Sequence, residues 1–388
     1  MLRLGHVTNK IWLLIASTLF SLPVLAEEGA SKYNLPEPAA TITKEIYDLH
    51  MLTASVATAI MIIVTGIIIY TLIKFRKSAG YEADLEFNNS WFGRWSWVLV
   101  PAIVLGIDFS VAGPAAKVLA KVESYDEADV TVKVIGSQWK WTYEYLEDGK
   151  NEGVKIVSNR VGPVAEIGEP VTQGDLHLRD VDNRLVLPTG KRIRFLHTAS
   201  DVLHAWWVPA IAYKKDSIPG YINETWTVIE KEGTYRGQCA ENCGTGHAYM
   251  PIVVDVVSPQ KFDEWMDGQK VAMAAAAAEA TSDKTWTLAE LMERGEKVYA
   301  ANCTACHQAT GTGIPNVFPA LKGSQMATAD LPAHLDMVIH GSKVNPVMAA
   351  WGKQLNDLEL AAVITYERNA WGNDTGDVVQ PADVKAAR

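Results

Sequence analysis

Residues 239–257 read CAENCGTGHAYMPIVVDVV, and the two halves of the stretch make different statements. The second half, PIVVDVV, is a short run rich in β-branched residues, which predicts a strand. The first half sets two thiols, an imidazole and a thioether (Cys239, Cys243, His247 and Met250) in one loop and its flank. Soft sulfur ligands with imidazole select copper, zinc or iron–sulfur chemistry, whereas magnesium and calcium favour carboxylate-rich sites. A disulfide between Cys239 and Cys243 is the alternative outside the cytoplasm, but it gives no reason for His and Met at such close offsets. One His and two Cys do not complete a site, so a second imidazole has to arrive from upstream. His197 ends an apolar strand pattern and reads as a packed histidine; His204, in the loop-like DVLHAWWVP, is the better ligand.

Working outward, the chain from residue 121 alternates in short runs: VTVKVIG, QWKWTYEY, RLVLP, KRIRFLH and TWTVIE, separated by Gly, Pro, Asn and Asp. That punctuation predicts a compact β-sandwich or barrel over residues 121–258. Within QWKWTYEY, Trp139, Trp141, Tyr143 and Tyr145 stand two apart and are expected on one strand face. Most of them should be core; an exposed Trp at the end of the stripe could admit electrons from a partner, and periodicity does not choose which.

Further toward the N-terminus, Arg3 and Lys10 precede an apolar stretch and the small-residue sequence VLA, so residues 1–26 read as a secretory signal. Residues 49–73 contain no Asp, Glu, Lys or Arg, and at about 1.5 Å per residue they exceed a hydrocarbon thickness of roughly 30 Å. A second apolar segment, residues 95–120, holds Asp108, Pro101 and Pro114 and is also expected to span; Asp108 should then face protein or be protonated. Lys74, Arg76 and Lys77 follow the first span, which puts the connecting loop in the cytoplasm and both long ends outside. The two spans and their flanks occupy residues 44–120. With 48% apolar residues and a mean hydropathy of +0.01, the chain mixes membrane segments with soluble domains. A net charge of −10 argues against nucleic acid and permits a basic protein partner.

Beyond the β region, residues 259–285 include VAMAAAAAEA and read as a helix followed by a semi-flexible linker. Residues 286–375 then carry Cys303, Cys306 and His307 as CxxCH, the attachment pattern of a c-type haem, and residues 376–388 form a tail. No βαβ pattern supports the thioredoxin-like reading of CxxC. The sixth haem ligand is sought among Met326, Met337, Met348, His334 and His340. Methionine is usual in cytochromes c, Met337 sits in the helical pattern HLDMVIHG, and Met348 lies in a loop before a final helix. Copper and haem together account for all four cysteines.

GSQWKWTYEY, VDNRLVLPTG, SDVLHAWWVPA, KKDSIPGYINETW and GQCAENCGTGHAYMPIVVDVV together resemble cytochrome c oxidase subunit II over residues 44–261. The resemblance implies a multi-domain chain: a two-helix transmembrane hairpin, a cupredoxin-like all-β barrel and, from the haem motif, an all-α domain similar to class I cytochrome c. It implies a dinuclear copper centre with Cys239 and Cys243 bridging, His204 and His247 terminal, Met250 weak and the Glu241 carbonyl completing it. The Glu241 side chain would reach a magnesium ion shared with subunit I, and Trp139 would admit electrons. In the cytochrome family the methionine before the last helix ligates the iron, which selects Met348 over Met326, although the usual Met-Pro is Met-Ala here. The expected activity is that of cytochrome c oxidase. Electrons would pass from a soluble or membrane cytochrome c, through the fused haem c and the copper pair, to subunit I, which reduces oxygen with proton translocation. Subunit III is a further expected partner, and the setting is the bacterial inner membrane with both cofactor domains periplasmic. One departure is Arg94, where family members often carry a Glu serving proton entry; Glu82 and Glu86 lie further upstream. The rivals are the electron-input subunit of a copper-containing nitric oxide reductase and a copper-binding protein without turnover. Quinol oxidase subunits lack the copper ligands.

Overall fold

A computed structural model describes residues 34–82, 85–124, 126–146, 153–161, 176–282, 284–315, 317–344 and 348–388. The expected signal segment, residues 1–26, lies outside the described residues. The chain divides into two compact units, one of residues 1–39 and 43–114, the other of residues 40–42 and 115–388.

The first unit is built on long apolar helices. Helix α1 is Thr41–Lys74, and α2, Trp91–Val122, begins in this unit and ends in the second. Each is long and apolar enough to cross a bilayer. Ile62, Ile63, Ile67, Leu72, Ile103 and Phe109 are all exposed, the pattern of helices whose solvent is lipid, because their own backbone bonds satisfy every polar group inside the hydrocarbon. Pro101 and Pro114 both lie within α2, and Asp108 is exposed on the isolated chain.

Among the described residues of the second unit, ten strands form two five-stranded sheets. They are β1 (Val130–Ser137), β2 (Lys140–Leu146), β3 (Lys155–Ser158), β4 (Leu185–Pro188), β5 (Arg192–Ala199), β6 (His204–Trp207), β7 (Lys215–Ser217), β8 (Asn223–Val228), β9 (Gly233–Cys239) and β10 (Pro251–Val257). One sheet runs β3-β2-β1-β5-β8, the other β4-β10-β9-β6-β7. The pairs β1–β5 and β4–β10 are parallel and the rest antiparallel. β1 alternates buried and half-buried residues along its whole length, as a strand with one core face must. Val132, Val134, Trp141, Tyr143, Ile193, Phe195, Trp206, Ile252 and Val254 are fully buried. Polar ends of the aromatic rings are satisfied inside this core: Trp206 Nε1 donates to Tyr143 Oη at 3.3 Å, and Tyr145 Oη donates to the Val186 carbonyl at 2.7 Å.

The aromatic stripe is shorter than its spacing suggests. Trp141, Tyr143 and Tyr145 are core, but β2 begins at Lys140, and Gln138 and Trp139 form the turn joining β1 to β2. Trp139 therefore leaves the stripe at the end nearest the cysteine loop.

Helix α3 (Pro259–Ala280) is capped by Ser258, whose hydroxyl accepts from the Lys261 amide. The helical module follows with α4 (Leu288–Asn302), α5 (Thr304–His307), α6 (Gln325–Thr328), α7 (Leu331–His340), α8 (Asp357–Asn369) and α9 (Pro381–Ala387). Capping boxes start α4, through Thr287 and Glu290, and α8, through Asn356 and Glu359, each satisfying two otherwise orphaned amides. Tyr299, Leu335, Val338, Ile339, Leu360, Ile364, Val379 and Val384 pack in one core. Val379 and Val384 fall among the residues expected to be a tail, so the chain after residue 375 supplies part of this core rather than trailing from it.

Candidate metal and haem sites

β6 opens on His204, β9 closes on Cys239, and the loop to β10 carries Glu241, Cys243, His247 and Met250. The pairing of β6 with β9 in one sheet thus brings His204 beside Cys239, 35 residues later. Cys239 and Cys243 are free thiols, both buried, with their Sγ atoms 3.9 Å apart. His204 Nδ1 lies 3.9 Å from Cys239 Sγ, and His247 Nδ1 lies 3.5 Å from Cys243 Sγ. Met250 Sδ is 3.5 Å from Cys243 Sγ, and the Glu241 carbonyl is 3.3 Å from Cys239 Sγ. The ligand atoms of His204, Cys239 and Cys243 all fall within 4.8 Å of one another. The six residues singled out from sequence therefore converge. His197 does not join them: it is buried on β5, with Nε2 2.7 Å from Thr225 Oγ1, and burial lowers its pKa to about 3.

The tautomer of His204 follows from its partner. Its Nε2 lies 2.9 Å from Asp201 Oδ1. An ionised carboxylate only accepts, so Nε2 carries the proton and the Nδ1 lone pair faces the thiols. Burial alone would lower the His204 pKa, but the bonds to Asp201 and Cys239 outweigh it and raise it. Asp201 is itself fixed. It accepts from the Gln138 and Val202 amides, each at 2.7 Å, and these bonds with that from His204 overcome burial and hold its carboxyl below the usual range. Sequence reading missed Asp201; the SDVLH stretch holds the signal, a carboxylate three residues before a ligand-type histidine. Between the two thiols, the hydrogen bond they share holds Cys239 well below the ordinary thiol range and pushes Cys243 above it. The first of the two thiols to ionise is favoured and the second is opposed by its neighbour's charge.

Close packing fixes both the histidine and the tryptophan. A Cβ at Gly136 would stand 2.8 Å from His204 Cγ and Cδ2, and one at Gly246 would stand 2.2 Å from Trp139 Cδ2. Trp139 is half-buried, and its Nε1 donates to the Cys243 carbonyl at 3.2 Å, beside a 2.8 Å bond from Gln138 Nε2 to the same oxygen. The Glu241 side chain lies 4.0 Å from Lys214 Nζ, which is paired at 2.7 Å with Asp216.

In the helical module Cys303 caps the short α5 that holds Cys306 and His307. His307 is buried, and its Nδ1 lies 2.9 Å from the Pro319 carbonyl. A carbonyl only accepts, so the proton is on Nδ1 and Nε2 keeps its lone pair, the form needed to ligate iron. Burial pushes both the Cys303 and Cys306 thiols up, which keeps them neutral near pH 7. Met348 is half-buried, its carbonyl accepting from the Ser342 amide at 3.1 Å, while Trp351 N–H donates to Val338 O at 3.0 Å. These bonds tie the Met348 loop to the end of α7. Met326 is 45% exposed on α6. His334 is paired through Nε2 with Glu367 at 2.9 Å, Met337 is half-buried on α7, and His340 is exposed.

Comparison with known proteins gives three family matches. Residues 29–115 match the cytochrome c oxidase subunit II transmembrane domain, residues 130–257 its periplasmic domain, and residues 290–366 the family described as cytochrome c oxidase, cbb3-type, subunit III. A "Probable cytochrome c oxidase subunit 2" of Rickettsia bellii is 36% identical over 264 residues, covering 67% of this chain and 93% of that protein. The cytochrome c oxidase subunit 2 of Metridium senile is 36% identical over 242 residues, covering 60% and 92% respectively. Among solved structures, the periplasmic domain of subunit II of cytochrome oxidase (CoxB) of Bradyrhizobium japonicum is 36% identical, covers 38% of this chain and 99% of that one, and has a TM-score of 0.33.

Proposed function

The chain belongs to the cytochrome c oxidase subunit II family, and from that premise we propose that Cys239 and Cys243 bridge a pair of copper ions. In the same reading His204 and His247 are the terminal ligands, and Met250 and the Glu241 carbonyl complete the set. The chain is the electron-input subunit of a haem–copper oxidase in the inner membrane, with its β-domain and helical module on the periplasmic side. It carries copper and a c-type haem and works within the oxidase complex, whose catalytic subunit reduces oxygen.

The observation that carries the copper assignment is the pair of free thiols 3.9 Å apart, each with its own imidazole nitrogen beside it. Half that separation is shorter than a metal–thiolate bond of about 2.3 Å, so an ion can touch both sulfurs from either side of the line joining them. Held by these two thiolates, copper would supply one-electron transfer at Cys239 and Cys243. The protein's part is to keep the ligands still. Asp201 holds the His204 ring, Gly136 admits it, and the paired strands β9 and β10 of one sheet fix the two ends of the loop that carries Cys243 and Met250. Little nuclear motion then accompanies each electron.

For the haem, Cys303 and Cys306 supply the thioethers and His307 the proximal nitrogen. Met348 is assigned as the sixth ligand because backbone bonds hold its loop to the module's core. Trp139, bonded to the Cys243 carbonyl and half-exposed, is assigned as the entrance to the copper site. The Glu241 carboxylate is assigned to a magnesium ion shared with subunit I. Subunit III and a cytochrome c donor complete the assembly.

The test is metal analysis and paramagnetic spectroscopy of the purified complex. A copper pair per chain with a mixed-valence signal is expected, lost in Cys239→Ser. One copper or none in the unsubstituted protein, or an unchanged signal in the variant, would refute the assignment.

A further inference from the structure

β2 is the strand whose pattern the β-domain alone does not explain. Its first residue, Lys140, points away from the core side occupied by Trp141, yet it is only 8% exposed. The helical module covers it. Lys140 Nζ donates to Asn302 Oδ1 at 2.6 Å and lies 4.9 Å from the centre of the Trp351 ring. Asn302 is the residue before Cys303, and Trp351 follows Met348 by three. A single ammonium is thus braced between the two segments expected to flank the haem. On its other side Lys140 is bonded through the backbone to Trp139, whose indole donates to the Cys243 carbonyl.

We infer that Lys140 is the positioning residue that seats the helical module, Cys303 edge first, against the turn carrying Trp139, and that this seat sets the rate of electron transfer within the chain. The inference rests on the copper and haem assignments above. A bonded route between the two cysteine sites then runs from Cys303 to Asn302, across one hydrogen bond to Lys140, to Trp139, and across a second to Cys243. The transfer it serves moves one electron from donor cofactor to acceptor cofactor and needs no proton or further reagent. Lys140 is not a ligand. It holds a distance.

The charge matters as well as the length. An ammonium can give one proton to the Asn302 oxygen while its positive face meets the Trp351 ring, whereas an alkyl chain of the same reach can do neither. Lys140→Met therefore keeps the stem packed and removes both polar contacts.

The experiment compares full-length protein in its oxidase complex as wild type, Lys140→Met, Lys140→Arg and Asn302→Leu. Two quantities are read. One is the rate of electron equilibration from haem to copper after rapid photoreduction; the other is amide exchange at the end of α4 and the start of β2. Lys140→Met and Asn302→Leu are expected to slow equilibration at least about tenfold, the population change that losing about 1.4 kcal/mol of docking produces. Both should raise exchange at both segments, with the optical spectra of both cofactors unchanged, and Lys140→Arg should recover most of the rate. Equilibration within twofold of wild type in both Lys140→Met and Asn302→Leu, with cofactors intact, overturns the inference and leaves the copper and haem assignments standing. Wild-type protein lacking either cofactor overturns those assignments instead.

Discussion

Replacing Gly246 by alanine tests how tightly Trp139, the proposed entrance to the copper site, is held against the cysteine loop. The added Cβ would stand 2.2, 2.5 and 2.6 Å from Cδ2, Cγ and Cε3 of Trp139. Carbon atoms meet comfortably at about 3.5 Å or more, so the indole must retreat by roughly 1.3 Å. Its hydrogen bond to the Cys243 carbonyl is already 3.2 Å long, near the upper end for N–H···O, and does not survive that displacement. A lost bond costs about 0.5–1.5 kcal/mol and forced repacking about 1–3 kcal/mol, so the β-domain should lose roughly 2–4 kcal/mol. Gly246 has φ −90°, open to alanine, so the effect comes from the ring and not from backbone strain. The assay is calorimetric unfolding of the full-length protein, paired with the rate of electron arrival at copper. Gly136→Ala is the companion: its methyl meets the His204 ring at 2.8 Å, and copper retention should fall there while Trp139 stays in place. An unshifted melting transition and an unslowed transfer in Gly246→Ala would show that Trp139 is loosely held and that the glycine is incidental.

Three further outcomes follow from single positions. Gly268 is exposed in α3 and an added methyl there meets nothing within 4 Å, so Gly268→Ala should stabilise that helix by about 1 kcal/mol, read as slower amide exchange across α3; faster exchange would contradict it. His197 is buried with its pKa lowered from 6.5 to about 3, so the unfolded chain takes up its proton first as the pH falls. The stability this neutral histidine secures is complete above pH 6.5, declines below it, and should be about 2 kcal/mol smaller at pH 5 than at pH 7. His197→Gln should remove that part of the pH dependence, and identical pH profiles for the two proteins would refute the cause. Met348→Ala should lower the haem potential and abolish the sulfur-to-iron absorption; finding both effects in Met326→Ala instead would move the sixth ligand to α6.

Much of the cluster proposed to hold copper was legible because its residues are local in the sequence. Cys239, Glu241, Cys243, His247 and Met250 share one loop, and only His204 had to be brought in, from a stretch whose polar and aromatic mixture already set it apart from the strand ending at His197. Asp201 was not legible, since a carboxylate near a histidine is common and only the fold shows which nitrogen it faces. The Trp139 to Tyr145 stripe misled by its regularity. Spacing of two says which residues share a face if the strand continues, and the strand stops at Lys140 because the backbone turns there to meet Asp201 and Cys243. The last helix was hidden for a different reason. Its seven residues, PADVKAA, are too few and too polar to announce a core element, and Val384 is buried only because α7 and α8 offer a groove for it.

Lys140 shows the same limit in sharper form, because nothing about QWKWT marks a lysine for burial. An isolated β-domain would leave its ammonium in water at the ordinary pKa, while the covered position lowers that pKa to about 8, chiefly by loss of hydration. Seating the module therefore carries a desolvation cost that the hydrogen bond to Asn302 and the contact with the Trp351 ring outweigh by a small margin, and the seat is weak by construction. Weakness is tolerable because the two modules share a chain. A tether that supplies millimolar effective concentration populates a contact whose free energy, as a separate encounter, would be only about −4 kcal/mol. The sign of its pH dependence follows: docking releases part of a proton, so the seated form gains on the separated one as pH rises from about 8 toward the ordinary lysine pKa of about 10.4.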